Sequence, residues 1–173
     1  MRHHPSFTSL FVVSAIALFL VGCGGGGKKA NEPAAFRGIY TTSGDCSDSG
    51  KLTIDQCLEA MEKAVAEHEK SAPSYGSLSS CEATEGAAQC ERTHAGNYRP
   101  VLLAFLVTAS KPPVAKPLYS SGDAKKVGFR TASKEFFLTK DDTVAMSQHA
   151  HTLAEASIPK KAKGGKGKGA FGS

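Results

Sequence analysis

Cysteine placement constrains the fold of this chain more than any other feature. Five cysteines occur in 173 residues, and four of them stand in two spaced pairs, Cys46-x10-Cys57 and Cys81-x8-Cys90. Four cysteines allow three pairings. A short internal repeat favours one of them. Tyr40 lies six residues before Cys46, as Tyr75 does before Cys81, and each unit closes on a Gln-Cys pair, Gln56-Cys57 and Gln89-Cys90. Gly50 and Gly86 fall inside the two loops. Two copies of one unit predict that each closes on itself, as Cys46–Cys57 and Cys81–Cys90. Loops of this size contribute roughly 2–3 kcal/mol each when chain entropy alone is counted. No C-x2-C occurs, so zinc-ribbon spacing is absent, and no metal is expected despite His68 and His94 nearby.

The fifth cysteine belongs to a different arrangement. Arg2 supplies a positive charge, an apolar run follows from Leu10 to Val21, and the run ends in Leu20-Val21-Gly22-Cys23. The run suits a secretory h-region and is short for a spanning helix, which needs about 20 residues. Its end is similar to the lipobox of bacterial lipoproteins. That resemblance implies that residues 1–22 are a signal peptide, cleaved so that the Cys23 thiol carries covalent lipid. Each buried CH₂ contributes about 0.8 kcal/mol, so several acyl chains hold a protein firmly where one does not. No other cofactor is expected. Residues 23–35, opening on Gly24 to Gly27, Lys28 and Lys29, read as a flexible tether. Gly24 rather than Asp follows Cys23, which favours the periplasmic face of the outer membrane over the inner membrane. An oxidising compartment also suits the cysteine pairs.

Charge is segregated. The formal net charge is +5, and Lys160, Lys161, Lys163, Lys166 and Lys168 stand in the last 14 residues with no acid among them. Without Arg2 and this tail, 15 basic residues face 16 acidic ones, so no folded basic face is expected. Residues 140–173 read as a low-order basic Gly/Lys-rich tail whose end is disordered, with Phe171 as one aromatic anchor. Outside the cytoplasm nucleic acid is an unsuitable target. An envelope protein or an anionic envelope component suits the lysines better.

The fold class expected is a small, disulfide-stapled α+β domain. Its main helix, about 53–70, starts on the capping box Thr53-x-x-Gln56, with Leu52 placed to pack on Cys57. Ile54, Cys57, Leu58, Met61, Val65 and His68 follow helical spacing and predict the buried face, and Glu59 pairs with Lys63 on the other side. Pro73 stops the helix. A short second helix is expected at about 78–86. Pro100 to Val107 is strongly apolar but too short to span a bilayer, and is expected in the core as a helix turn or strand. One β-hairpin is expected among Leu118-Tyr119, Val127 to Thr131 and Glu135 to Leu138. Asp141 to Ile158 has partial helical spacing with little apolar content.

Together these residues resemble the YgiB-like family of uncharacterised lipoproteins, also called domain of unknown function 1190. The likeness rests on Asp45-Cys46, Gln56-Cys57, the Ala72-Pro73-x-Tyr75 turn, Cys81 and Gln89-Cys90, with support from Pro117 to Ser121 and from Gly169-Ala-Phe171-Gly172. It runs from about Tyr40 to Ser173, and it implies a family domain at 36–139 with a stapled head at 40–107. The Pro- and Gly-rich middle is shorter here than in the family pattern, and Val144 to Ser157 replaces a proline-rich stretch. The family brings no established activity. Its genes often lie beside an ATP-grasp ligase of the glutathionylspermidine synthase type, which implies a candidate partner.

Three function classes follow. The first is a non-catalytic, membrane-anchored binding or structural component of the envelope, with the tail lysines and Phe171 engaging a partner. The second is a lipoprotein whose tail is the ligase's substrate. The third is a metal-dependent enzyme built on His149-Ala-His151. That motif is weak alone, with no acid at a supporting spacing, and no G-x-S-x-G, H-E-x-x-H or phosphate loop accompanies it. No catalytic residue is assigned.

Overall fold

A computed structural model describes residues 35–158. The elements run β1 (Arg37–Tyr40), α1 (Ser43–Ser47), α2 (Ile54–Ser71), α3 (Leu78–Glu85), β2 (Cys90–Arg92), β3 (Tyr98–Pro100), β4 (Ala104–Thr108), β5 (Val114–Ser120), β6 (Gly128–Arg130), β7 (Phe136–Leu138), β8 (Ala145–Met146) and α4 (Gln148–Ala156). This is a small α+β fold. Six strands form a mixed sheet in the order β7-β6-β5-β4-β1-β8, and β2 and β3 form a separate ribbon. All pairs in the larger sheet are antiparallel except β1 with β8, which run parallel through Gly38↔Ala145 and Ile39↔Met146.

Alternation along the strands sends side chains to two cores, one on each face of the sheet. Ile39, Ala104, Leu106, Leu118, Phe129 and Phe137 point to one face, where Ala150 and Ala154 of α4 and Val144 cover them. Tyr40, Val107 and Ala115 point to the other, under Cys57, Ala60, Met61 and Ala64 of α2. Pro117 lies in β5 beyond the stretch paired with β6, which reaches only Tyr119 and Ser120. A residue without an N–H is therefore tolerated there.

The capping box starts α2: Thr53 Oγ1 accepts from the Gln56 N–H, and Gln56 Oε1 accepts from the Thr53 N–H. The helix ends at Ser71, and Ala72, ahead of Pro73, is extended at ψ 145°. Ser77 caps α3, which ends at Gly86 with φ 105°. The disulfides join Cys46 to Cys57 and Cys81 to Cys90. The first bridges α1 to α2 and the second α3 to β2, so each fastens a helix to its sequence neighbour.

Several expectations need correction or extension. The expected apolar face of α2 is rotated: Cys57, Ala60, Met61, Ala64 and His68 are buried, whereas Ile54, Leu58 and Val65 are 46%, 47% and 41% exposed. The disulfide and two alanines allow close approach on one side, which leaves the larger aliphatics at the edge. The expected hairpin is present, as β5, β6 and β7 paired antiparallel, and it extends into a larger six-stranded sheet. Its strands are two to seven residues long, and β5 and β6 are buried almost continuously, so an alternating pattern is scarcely visible. The low-order tail begins too early at residue 140. Residues 145–156 form β8 and α4, and Ala150 and Ala154 are fully buried. Small side chains make this helix fit closely while keeping its apolar content low. The stapled head at 40–107 also shares its sheet with strands far beyond residue 107. The disordered end expected after Ile158 lies outside the described residues.

Candidate functional site

The exposed aliphatic face of α2 creates an apolar concavity. A groove of about 320 Å³ runs between α2 and the sheet, floored by Leu58, Met61, Val65 and Phe105. Its far rim is Thr41 to Ser43, and Glu62 stands on the near rim. Ile54 continues the same stripe, since positions 54, 58, 61 and 65 share one side of a 3.6-residue helix. This volume is at the low end for small-ligand sites, enough for one large side chain with its flanking backbone. Asp55 and Glu62, seven residues apart, line the edge of the stripe. Both are exposed, and neither has an ion-pair partner among the described residues, whereas Glu59 pairs with Lys63 at 2.7 Å and Glu69 with Arg99 at 2.6 Å. The Arg99 hydrogen bonds hold the Glu69 carboxyl below the usual carboxylate range.

Behind α2 lies a chain of polar groups. His68 is 2% exposed; its Nδ1 is 3.1 Å from the Tyr119 hydroxyl and its Nε2 is 3.5 Å from Glu91 Oε1. An imidazole with its proton on Nε2 satisfies both contacts. Arg99 Nε donates to the same Glu91 oxygen at 2.6 Å, and its two terminal nitrogens donate to Glu69. Burial, aided by the negative charge of Glu67, pushes the Tyr119 hydroxyl up to about 12. Arg130 also lies over this ring, with the guanidinium carbon 5.8 Å from the centroid. Arg130 pairs with Glu85, which also accepts from the Tyr75 hydroxyl, and both members of the pair are buried. Burial lowers the Arg130 pKa. These contacts join α2, α3, the small ribbon and the main sheet. They bind structural groups to one another and leave little free capacity for a substrate.

The histidines of the His149-Ala-His151 motif do not converge. His149 Nδ1 is 3.6 Å from Asp45 Oδ1, and His151 Nδ1 is 3.6 Å from Glu155 Oε1. Asp45 is thus an acidic neighbour that chain spacing could not reveal, 104 residues before His149. Its other oxygen accepts from the Thr41 N–H and from the Ser147 hydroxyl, and Ser147 in turn caps α4. The carboxylate therefore clamps α1 to the start of α4. Among the described residues no group of three His, Cys, Asp or Glu side chains is placed to hold a metal. His94 lines a separate polar hollow with Glu69 and Arg99. Cys23, Lys160, Lys161, Lys163, Lys166, Lys168 and Phe171, singled out in the sequence, lie outside the described residues.

Residues 35–173 match a family described as "Protein of unknown function (DUF1190)". A UPF0441 protein of Pectobacterium carotovorum subsp. carotovorum (strain PC1) is 34% identical over 94 residues, which cover 54% of this chain and 38% of the relative. A UPF0441 protein of Serratia proteamaculans (strain 568) is 34% identical over 83 residues, covering 48% and 34%. One of Klebsiella pneumoniae (strain 342) is 32% identical over 88 residues, covering 51% and 36%. The chain thus spans little more than a third of the length of these relatives. No solved structure matches.

Proposed function

The chain belongs to the DUF1190 family, and on that premise we propose that it is an envelope lipoprotein whose stapled domain is a binding component, not a catalyst. Lipid on Cys23 holds it at the periplasmic face of the outer membrane. The observation that carries this reading is the pair of disulfides, each closed within its own unit, in a chain that opens on an apolar run ending in Leu20-Val21-Gly22-Cys23. Disulfides of this kind persist outside the reducing cytoplasm. Binding is favoured over catalysis by how the polar groups are used. Asp45, His68, Glu85 and Glu91 are engaged in holding elements of the fold to one another, whereas the groove along α2 offers apolar surface with acidic groups beside it.

Intact mass of the protein from its native envelope, with and without reduction and alkylation, tests the reading. The expected product starts at Cys23, carries acyl chains, and gains four alkyl groups only after reduction. An unmodified Cys23, or four thiols that alkylate without reduction, overturns it. An added mass confined to the carboxyl-terminal peptide marks the tail as a ligase substrate instead.

A further inference from the structure

The groove has an acidic edge, and the same chain carries a basic segment with one aromatic residue. Five acidic residues lie exposed on α2, Asp55, Glu59, Glu62, Glu67 and Glu69, against Lys63 and Lys70. Of the acids, Asp55 and Glu62 flank the stripe of Ile54, Leu58 and Val65 and have no ion-pair partner among the described residues. Between Lys160 and Ser173 stand five lysines, no acid, and Phe171, the only Phe, Tyr or Trp after Phe137. We propose that this segment folds back on its own domain, seating Phe171 in the groove between α2 and β4 with its lysines along Asp55 and Glu62.

Geometry permits the return. The start of α4 lies beside Asp45, two residues from Ser43 on the groove rim, as the His149–Asp45 contact of 3.6 Å fixes. From there α4 runs about 14 Å to its end. The 13 steps from Ile158 to Phe171 reach up to roughly 45 Å when extended, more than the length of α4 and the roughly 10 Å from one face of the sheet to the layer on the other taken together. A short flexible connection holds a tethered ligand at an effective concentration on the order of millimolar. Weak contacts therefore suffice: one buried aromatic ring and two or three charge pairs at a partly exposed surface. Docking of this kind covers the exposed aliphatics of α2 until a competing partner displaces the segment. The inference rests on the reading of the domain as a binding component and identifies what occupies its groove in the unliganded protein.

The test uses the full mature chain with benzoylphenylalanine replacing Phe171. After irradiation, crosslinked peptides are mapped in the monomer-mass product. Crosslinks should concentrate on residues 54–65 and on Phe105. Asp55→Asn with Glu62→Lys, both at exposed positions, should lower their yield at least threefold, while the remote control Asp142→Lys leaves it unchanged. Salt at 1 M, where charges are screened within about 3 Å, should lower it similarly. Crosslinks scattered over the domain, crosslinks confined to a dimer-mass product, or a yield indifferent to the charge change would overturn the proposal. Anchoring and disulfides are read from the intact mass of the unsubstituted protein, so a failure here is distinguishable from a failure of the lipoprotein reading.

Discussion

Glu85 and Arg130 offer the most demanding test of how the domain is held together. Glu85 is 2% exposed and Arg130 6%, and their ion pair connects the end of α3 to β6. Glu85 also accepts from Tyr75, and Arg130 donates to the Thr131 carbonyl at 3.2 Å and lies over the Tyr119 ring. Removing one member of such a pair leaves the other charge buried without its counterion, at a cost of about 3–5 kcal/mol. Replacing both with apolar residues of similar volume removes the attraction and both desolvation penalties, and the net change is far smaller. Glu85→Leu and Arg130→Met should therefore each destabilise the oxidised protein by about 3–5 kcal/mol. The double variant should lie closer to the parent than either single one, although Tyr75 then lacks its acceptor at about 1–3 kcal/mol. Urea denaturation followed by circular dichroism, with disulfides intact, measures all four corners of the cycle. The single variants and their coupling carry the decisive information. If each costs under about 1 kcal/mol, or if the two losses simply add, the pair is not a desolvated unit and the argument fails.

Two other perturbations address the sheet and the polar chain. Gly128 has φ +154°, and a Cβ there would stand 2.8 Å from the Leu138 Cα and closer still to the Phe137 carbonyl oxygen, so Gly128→Ala should separate β6 from β7. A loss of about 1–3 kcal/mol in unfolding free energy, measured by urea denaturation, is expected, and a neutral result would contradict this register. Burial raises the Tyr119 hydroxyl above its ordinary 10 to about 12 in the folded protein. The folded state therefore keeps this proton while the unfolded state releases it, so its contribution is complete below pH 10 and is lost as pH rises towards 12. Stability measured from pH 9 to 12 should fall more steeply for the parent than for Tyr119→Phe; equal slopes would refute the assignment.

Local chemistry is what the sequence displays best. Thr53 and Gln56 announce the start of α2, Ser77 and Gly86 bound α3, and the Tyr-x5-Cys repeat indicates how the cysteines pair. Each of these depends on residues within about a dozen positions of one another. The sheet depends on partners far apart, such as Ile39 beside Leu106 and Met146, and short strands buried on both faces show no alternation. Helix α4 was hidden because alanines make its contact. The inward side of α2 is illegible for a related reason: Ile54, Leu58 and Val65 have the hydrophobicity of a core, but the Cys46–Cys57 bridge sets which side of α2 faces inward. Asp45 stands beside Cys46 with no role legible in the sequence, because its partners Ser147 and His149 come from the opposite end of the domain.

The parallel pairing of β1 with β8 sets an order of assembly. A chain that emerges amino end first has both cysteine loops, with separations of 11 and 9 residues, in hand before β8 exists. Local loops of this size close in well under a microsecond, whereas Gly38 must wait for Ala145, over a hundred residues later. One edge of β1 thus stays unpaired through most of synthesis, and the core under α4 remains open with it. The two stapled units can mature as each appears, but the domain as a whole is held in an unfinished state until nearly its full length has been delivered. The last strand and helix to be delivered therefore decide when the sheet is complete and its second core is closed.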